Sequence, residues 1–172
     1  MLNPIPSEVD VAVIGAGSAG LPAFRAAREH TDRVILIERG PHGTTCARVG
    51  CMPSKLLIAA AEAAHGMEIA PGFGIHPRSI SIDGEAVMER VRRERDRFVG
   101  FVLDGVDRID PEQKISGQAR FVEDSRLEIG NSQLRAGRVV IASGTSPAIP
   151  DFLEQVRDRV SVNDDVFEWK NL

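Results

Sequence analysis

The sequence predicts an α/β fold of the doubly wound type, with a small antiparallel β-meander inserted into it. A strand, a glycine-rich turn, a helix and a second strand follow one another from Val9 to Glu38. Short β-rich segments separated by turns then occur between Lys114 and Ala142. Alternating strands and helices are typical of a parallel sheet with right-handed crossovers, whereas strands joined by short turns are typical of antiparallel pairing.

The first predicted unit is strand, turn, helix, strand. Residues 9–14 are short and rich in β-branched side chains, which favours a buried strand. The turn Gly15-Ala-Gly-Ser-Ala-Gly20 follows directly, and a helical stretch continues to about Glu29. Residues 33–38 form the second predicted strand, which ends on an acid. This arrangement is a βαβ unit.

The glycine turn predicts a dinucleotide site. Gly15 permits the tight turn, Gly17 allows the backbone to approach a pyrophosphate, and Gly20 allows close helix–strand packing. Ser18 lies in the same turn, whose helix N-terminus attracts phosphate. Glu38 follows Gly17 by 21 residues, where a carboxylate accepts hydrogen bonds from a ribose and repels a 2′-phosphate. FAD or NAD is thus favoured over NADP, with an ordinary strand–helix turn as the alternative.

Two further helices are predicted, one on each side of a loop. Residues 56–65 are rich in alanine, residues 67–81 contain glycines and prolines that favour a loop, and residues 84–109 have helical periodicity. The charged run 92–96 is expected to face solvent. The apolar face of the long helix is expected to contain Val87, Val91, Phe98, Val102 and Val106.

The meander is predicted from three β-rich segments, residues 115–122, 126–129 and 138–142, separated by turns. The final segment, from Val160, has little periodicity, although Phe167 and Trp169 indicate that it packs on something.

Composition and charge exclude several classes of function. The chain of 172 residues has 42% hydrophobic and 27% charged residues, a net charge of −4 and no basic block, so neither nucleic-acid nor membrane binding is expected. No apolar run has the length of about 20 residues needed to span a bilayer, and no signal peptide is visible. We therefore expect a cytoplasmic protein, in which two nearby cysteines indicate redox or metal chemistry more often than a structural disulfide.

Both cysteines, Cys46 and Cys51, lie just after the predicted nucleotide site. Pro53 suits the first turn of a helix, which puts Cys51 at the helix N-terminus, where the dipole stabilises a thiolate. Cys46 is expected in the preceding loop, with Gly50 allowing the loop to fold back so that the two thiols can pair. Lys55 lies one helical turn beyond Cys51. We interpret the segment as a redox-active cysteine pair.

Other interpretations of the cysteines remain open. They could be two buried free thiols without chemistry. A zinc site would need more ligands, and although His42 and His65 could supply them, their spacing fits no common zinc finger, so we expect no metal. A structural disulfide is disfavoured by the expected compartment.

Taken together, these motifs resemble the pyridine nucleotide-disulfide oxidoreductases. The resemblance rests on residues 15–20, Glu38, residues 43–55 and residues 142–144, and covers essentially the whole chain. It implies a Rossmann-like FAD-binding domain and FAD as the bound nucleotide. Cys51 would be the flavin-proximal thiol that forms a charge-transfer complex, and Cys46 the interchange thiol that attacks the substrate disulfide.

The resemblance also implies further cofactor contacts. Lys55 would lie near flavin N5, and Thr45 near the phosphate and ribityl region. The backbone of Ala119 would meet the adenine, while Ser143 and Gly144 would belong to a second flavin-contacting motif.

Several residues depart from the family pattern without removing a reactive group. Thr44 stands where glycine is usual, Arg48 where asparagine is usual, and Ser143 where threonine is usual. Ser54 after Pro53 resembles the dihydrolipoyl dehydrogenase and mercuric reductase branches more than glutathione reductase. Dihydrolipoyl dehydrogenase is the nearest likeness.

The resemblance implies that residues 1–172 are one FAD-binding domain of a longer enzyme. The second glycine motif, for NAD(P)H, and the dimerisation domain are expected to be missing, so the chain alone should not turn over. In a full-length homodimer, a small-molecule dithiol would reduce the disulfide, and electrons would pass through Cys51 to FAD and NAD⁺. The rivals are an NAD-dependent dehydrogenase domain with incidental cysteines and a nucleotide-binding domain without redox chemistry.

Overall fold

The computed structural model describes residues 5–172, which form two compact units. The first contains residues 5–45 and Gly100–Ser146, and the second contains Cys46–Val99 and Pro147–Leu172. The chain thus leaves the first unit before the first cysteine and returns to it through a long helix. That residues 1–172 are a single FAD-binding domain stays a prediction, and its first four residues lie outside the described part.

One six-stranded sheet forms the centre of the first unit. Its strands are β1 Glu8–Ile14, β2 Val34–Glu38, β3 Lys114–Ser116, β4 Ala119–Glu123, β5 Arg126–Ile129 and β6 Ser132–Ile141. Their order is β3-β2-β1-β6-β5-β4. The pairs β3–β2, β2–β1 and β1–β6 are parallel, and the pairs β6–β5 and β5–β4 are antiparallel. The predicted α/β, Rossmann-like fold with an antiparallel meander is confirmed.

The strand β6 belongs to both parts of the sheet, as expected for a meander that returns into the main sheet. Its first residues pair antiparallel with β5, and its later residues, from Arg135 onward, pair parallel with β1. The prediction that this strand begins only at Arg138 was therefore wrong by six residues at its start. The sequence also predicted one strand over 115–122, but β3 pairs with β2 and β4 with β5, so the chain changes neighbours between them.

Two apolar clusters pack the first unit. In one, Phe24 of helix α1 (Gly20–Arg28) and Val106 lie with Val13 and Leu36 of the central strands. The other is built from side chains of the meander and the central strands, including Leu127, Leu134, Ile35 and Ile37. Burial of each such side chain stabilises the fold by about 1.5–3 kcal/mol relative to exposure. These clusters pack both faces of the strands whose ends carry the glycine turn.

The second unit is mainly helical. Its elements are α2 Thr45–Val49, α3 Cys51–Ile69, a 3-10 turn Ala70–Phe73, α4 Gly84–Asp107, a 3-10 segment Asp151–Arg159 and α5 Asn163–Val166. The first residue of α2 and the last turns of α4, from Gly100, belong to the first unit. Helix α3 contains the predicted alanine-rich segment, but the loop predicted from Met67 begins later, because helical turns continue to Phe73. They end at Gly74, whose φ of 79° lies in the left-handed region. Glycine adopts this conformation without strain because it has no Cβ. No helix within residues 5–172 is long and apolar enough to cross a membrane.

The prediction that the whole charged run of α4 faces solvent was wrong for Arg95, of which only 8% is exposed. Arg95 lies on the same face of α4 as Met88 and Val91, which are fully buried, so its guanidinium needs partners. Its Nε donates to Asp96 Oδ1 at 2.8 Å, and its Nη1 donates to Glu168. Burial opposes the charge, but these hydrogen bonds outweigh it and raise the pKa of Arg95.

The remaining expectations for α4 and the final segment hold in part. Val91 and Val106 are buried as predicted, whereas the other three residues of the proposed apolar face are half-buried. In the final segment Phe167 is buried, with 6% exposed, but Trp169 remains 45% exposed.

The loop before α2 holds a β-branched residue in the left-handed region of backbone space. Thr44 has φ of 59° and follows Gly43, whose φ is 112°. An L-residue in this region is destabilised by about 1–2 kcal/mol, and the clash is worst for a branched side chain. Thr44 therefore carries local strain two residues before the first cysteine.

We expect Thr44→Gly to raise the free energy of unfolding by about 0.5–1 kcal/mol. Glycine removes the left-handed strain. It also makes the unfolded chain more flexible, which offsets part of the increase in stability. Urea unfolding followed by circular dichroism measures the change. The matched control is Thr45→Gly, at the first residue of α2, which should not stabilise the chain. Equal destabilisation by both substitutions would contradict the strain at Thr44.

Candidate functional site

The glycine turn is formed by the close approach of β1, α1 and the chain beyond β6. Gly15 has φ of 105°, and a Cβ there would lie 2.2 Å from the carbonyl oxygen of Ala142. A Cβ on Gly20 would lie 1.7 Å from the oxygen of Gly15. Neither position tolerates a side chain. A Cβ on Gly17 would meet nothing within 4 Å, so the backbone there is open to an incoming group.

Glu38 links the ends of the two central strands. Its Oε2 accepts a hydrogen bond of 2.7 Å from the backbone N–H of Ala16 in the glycine turn, and its Oε1 accepts one of 2.8 Å from Gly40. A carboxylate oxygen has a second lone pair, so each oxygen can still accept from a ligand hydroxyl. The carboxylate is therefore oriented before any ligand binds.

A cavity of about 240 Å³ lies beside this carboxylate. Four residues predicted from the sequence line it together: Gly15, Glu38, Ala119 and Ser143. Their positions in the chain are far apart, and the parallel pairing of β3, β2, β1 and β6 brings them to one edge of the sheet. The cavity is also lined by residues that the sequence analysis did not assign to it, namely Ile14, Ile37, Arg39, Gly117 and Gln118.

Of these missed residues, Arg39 and Gln118 bring polar side chains. Arg39 follows Glu38 and Gln118 precedes Ala119, both of which the sequence predicts as cofactor contacts. Their position next to these residues is the sequence feature that could have indicated them. The remaining predicted cofactor residues of the first unit lie outside the cavity lining. Ser18 is exposed in the glycine turn, Gly144 follows Ser143 with φ of 71°, and Thr45 is exposed at the start of α2.

The two cysteines lie together in the second unit as free thiols. Cys51 is the first residue of α3, as predicted, and is exposed. Cys46 was expected in a loop, but it lies in the short helix α2 and is half-buried. The exposure of Cys51 excludes the alternative of two buried thiols. Within residues 5–172, no three His, Cys, Asp or Glu side chains are gathered as a metal site would need.

The side chain of Cys51 is close enough to Cys46 to influence its ionisation. Hydrogen bonding between the two side chains is the largest of the effects that raise the pKa of Cys46 above its ordinary value of 9.0, and burial adds to it. The backbone of Cys51 and the positive charge of Lys55 act in the opposite direction but are weaker. The shift favours the neutral thiol of Cys46. The exposed Lys55, one turn along α3, is close enough for its positive charge to oppose that shift.

Two side chains bind the carbonyl groups between α2 and α3. Ser54 Oγ donates to the oxygen of Gly50 at 2.7 Å, and Asn163 Nδ2 donates to the oxygen of Val49 at 3.1 Å. Asn163 carries no signal in the sequence, because it lies 114 residues from Val49 and no local pattern marks it.

The chain is similar to several known proteins. The family model described as pyridine nucleotide-disulphide oxidoreductase matches residues 9–170. A mercuric reductase of Streptomyces lividans is 36% identical over 159 residues, which are 86% of this chain and 33% of that protein. A glutathione reductase of Burkholderia cepacia is 30% identical over 161 residues, covering 94% of this chain and 35% of the relative.

The fold also has a solved counterpart. The HOCl-induced flavoprotein disulfide reductase RclA from Escherichia coli, in a Cu(II) complex, superposes with a TM-score of 0.64 at 22% identity. The match covers 85% of this chain and 31% of that one. At this identity the likeness concerns the fold.

The chain spans about a third of the length of the curated relatives described above. Membership of their family implies FAD as the cofactor. The family match covers nearly the whole chain, including both the glycine turn and the two cysteines. This chain therefore belongs to the pyridine nucleotide-disulphide oxidoreductase family.

Proposed function

We propose that this chain is the FAD-binding, redox-disulfide part of a flavoprotein disulfide oxidoreductase. The observation that carries the proposal is the pair of neighbouring free thiols, Cys46 and Cys51, with Lys55 one helical turn beyond Cys51. Two thiols in contact can form a disulfide with release of two protons and two electrons, and the reverse reaction restores them. FAD, when bound, supplies the acceptor for that electron pair.

Each cysteine has a separate proposed role. Cys46 exchanges with the substrate disulfide or dithiol, and Cys51 faces the flavin. This division is the one that the family's cysteine motif implies. Lys55 lies near flavin N5 and acts on it through its positive charge.

The cofactor residues of the first unit are proposed to hold the adenosine end of FAD. The oriented carboxylate of Glu38 accepts ribose hydroxyls, and the backbone of Ala119 meets the adenine. The cavity of about 240 Å³ is smaller than the roughly 300–1,000 Å³ of a site that encloses a whole drug-sized ligand, so it fits one part of the dinucleotide. The open backbone at Gly17 faces the pyrophosphate. Ser18, Thr45, Ser143 and Gly144 complete the proposed cofactor contacts.

For the whole protein we propose a dihydrolipoyl dehydrogenase-like reaction in the cytoplasm, performed by a homodimer. A small-molecule dithiol is oxidised, and its electrons pass through the cysteine pair and FAD to NAD⁺. A mercuric reductase-type reaction is the second candidate. It is favoured by the relatives that are 33–36% identical and carry that name. A glutathione reductase-type enzyme is a further alternative.

A first test concerns the cofactor. The purified chain should bind FAD, and Glu38→Gln should weaken binding about tenfold, because an acceptor for the ribose is replaced by an amide. Quenching of flavin fluorescence during titration measures the affinity. Glu29→Gln, at the exposed end of α1, is the matched control and should change nothing. Binding of NAD⁺ in preference to FAD would instead support an NAD-dependent domain.

A second test concerns the pKa of Cys46. Its alkylation rate, followed residue by residue with iodoacetamide and mass spectrometry, should rise with a midpoint above pH 9.0. Cys51→Ala removes the largest cause of the raised pKa, so the midpoint should fall. Lys55→Met removes a positive charge and should move the midpoint upward. A midpoint that did not move in Cys51→Ala would contradict the contact between the thiols.

A third test separates the substrate classes in the full-length gene product. Dihydrolipoamide should support NAD⁺ reduction, and Cys51→Ser should reduce this rate by more than about a hundredfold, because the electron path is interrupted. NADPH oxidation that depends on Hg²⁺, without dithiol activity, would favour the mercuric reductase candidate. Full activity in Cys51→Ser would refute the assigned redox role.

A further inference from the structure

The final segment of the chain contacts the helix that carries Cys46. Asn163, the first residue of α5, donates from Nδ2 to the carbonyl oxygen of Val49 at 3.1 Å. Val49 is the last residue of α2 and lies between the two cysteines in the chain. A terminal carbonyl of a helix lacks a partner within the helix, so a side-chain donor there acts as a cap.

The short helix α2 depends on such contacts. It contains five residues, and an isolated helix of that length is not stable in water. The chain between α2 and α3 turns at Gly50, with φ of −132° and ψ of −114°. Ser54 holds the oxygen of Gly50 from within α3, and Asn163 holds the oxygen of Val49 from outside both helices.

Asn163 is itself held in place by the residues that follow it. Phe167 is buried, Glu168 accepts from the buried Arg95, and the carbonyl oxygen of Trp169 accepts from Arg92. Asp165 accepts a hydrogen bond of 3.0 Å from the backbone N–H of Val162, which fixes the start of α5. We call residues 162–169 the terminal segment. Its anchorage on α4 means that the donor of Asn163 is oriented before the cysteines react.

We propose that Asn163 is a positioning residue that favours the disulfide form of the Cys46–Cys51 pair. The inference rests on the proposed redox function. When the two thiols are reduced, the contact with Val49 limits the conformations of α2 and keeps the sulfurs together. The disulfide imposes the same restriction covalently. Loss of the contact therefore frees only the reduced form, and closing the disulfide then costs more conformational entropy.

The equilibrium with glutathione measures this effect directly. One glutathione disulfide oxidises Cys46 and Cys51 to their disulfide and leaves as two glutathione thiols, so atoms and electrons balance. The chain is incubated at fixed ratios of glutathione and its disulfide, quenched with acid, alkylated and analysed by mass spectrometry. The protein needs no FAD, substrate or further domain for this measurement.

Asn163→Ala should lower the equilibrium constant for disulfide formation about two- to fourfold, the lower part of the range for a single exposed hydrogen bond. Asn163→Asp keeps the side-chain size but loses the donor, so it should lower the constant in the same direction. Asn171→Ala is the matched control, because it removes the same side chain from the same end of the sequence without contacting α2. Its constant should equal that of the unchanged chain.

Each outcome decides the inference. Unchanged constants in both Asn163 variants would overturn it, and so would an equal fall in Asn171→Ala, which would indicate general loosening. If Asn163→Ala did not fold, Asn163→Asp would carry the test. If the unchanged chain formed no Cys46–Cys51 disulfide at any glutathione ratio, the proposed function itself would fail. Disulfide formation with equal constants in all variants would overturn only the role of Asn163.

Discussion

The first unit depends on one steric constraint, the contact between the glycine turn and the chain just beyond β6. The backbone at Gly15 lies so close to Ala142 that a single added carbon would be 2.2 Å from a carbonyl oxygen. This approach closes the turn between β1 and α1, and it puts the N–H of Ala16 where the Glu38 carboxylate accepts it at 2.7 Å. Without the turn, neither the orientation of that carboxylate nor the cavity beside it would exist.

The second unit is organised by a different kind of interaction. Its thiol pair lies on two helices that meet at Gly50, and the first of them is too short to be stable alone. Polar side chains donate to the carbonyl oxygens at this junction. A reactive pair needs its sulfurs in contact in both redox states, so these hydrogen bonds matter more for chemistry than their small individual energies suggest. The buried Arg95 plays a similar supporting part, because it fixes the end of the chain from which Asn163 acts.

The strained Thr44 stands between these two arrangements in the chain. Its backbone adopts a conformation that glycine adopts freely and threonine does not. The conformation persists because the surrounding structure imposes it, which is typical of segments near functional sites. Thr44, which stands where glycine is usual in the family pattern, thus has the positive φ that glycine would adopt without strain.

Local patterns were sufficient to predict much of this protein. The β-branched runs, the glycine spacing and Glu38 determined the first βαβ unit, because each follows from side-chain shape and backbone freedom within a few residues. Only the tertiary structure decided the rest. It joined Ala119 and Ser143 to Gly15 in one cavity, buried Arg95, extended β6 across both halves of the sheet and brought Asn163 to Val49. These outcomes depend on contacts between residues distant in the chain, which no local periodicity encodes.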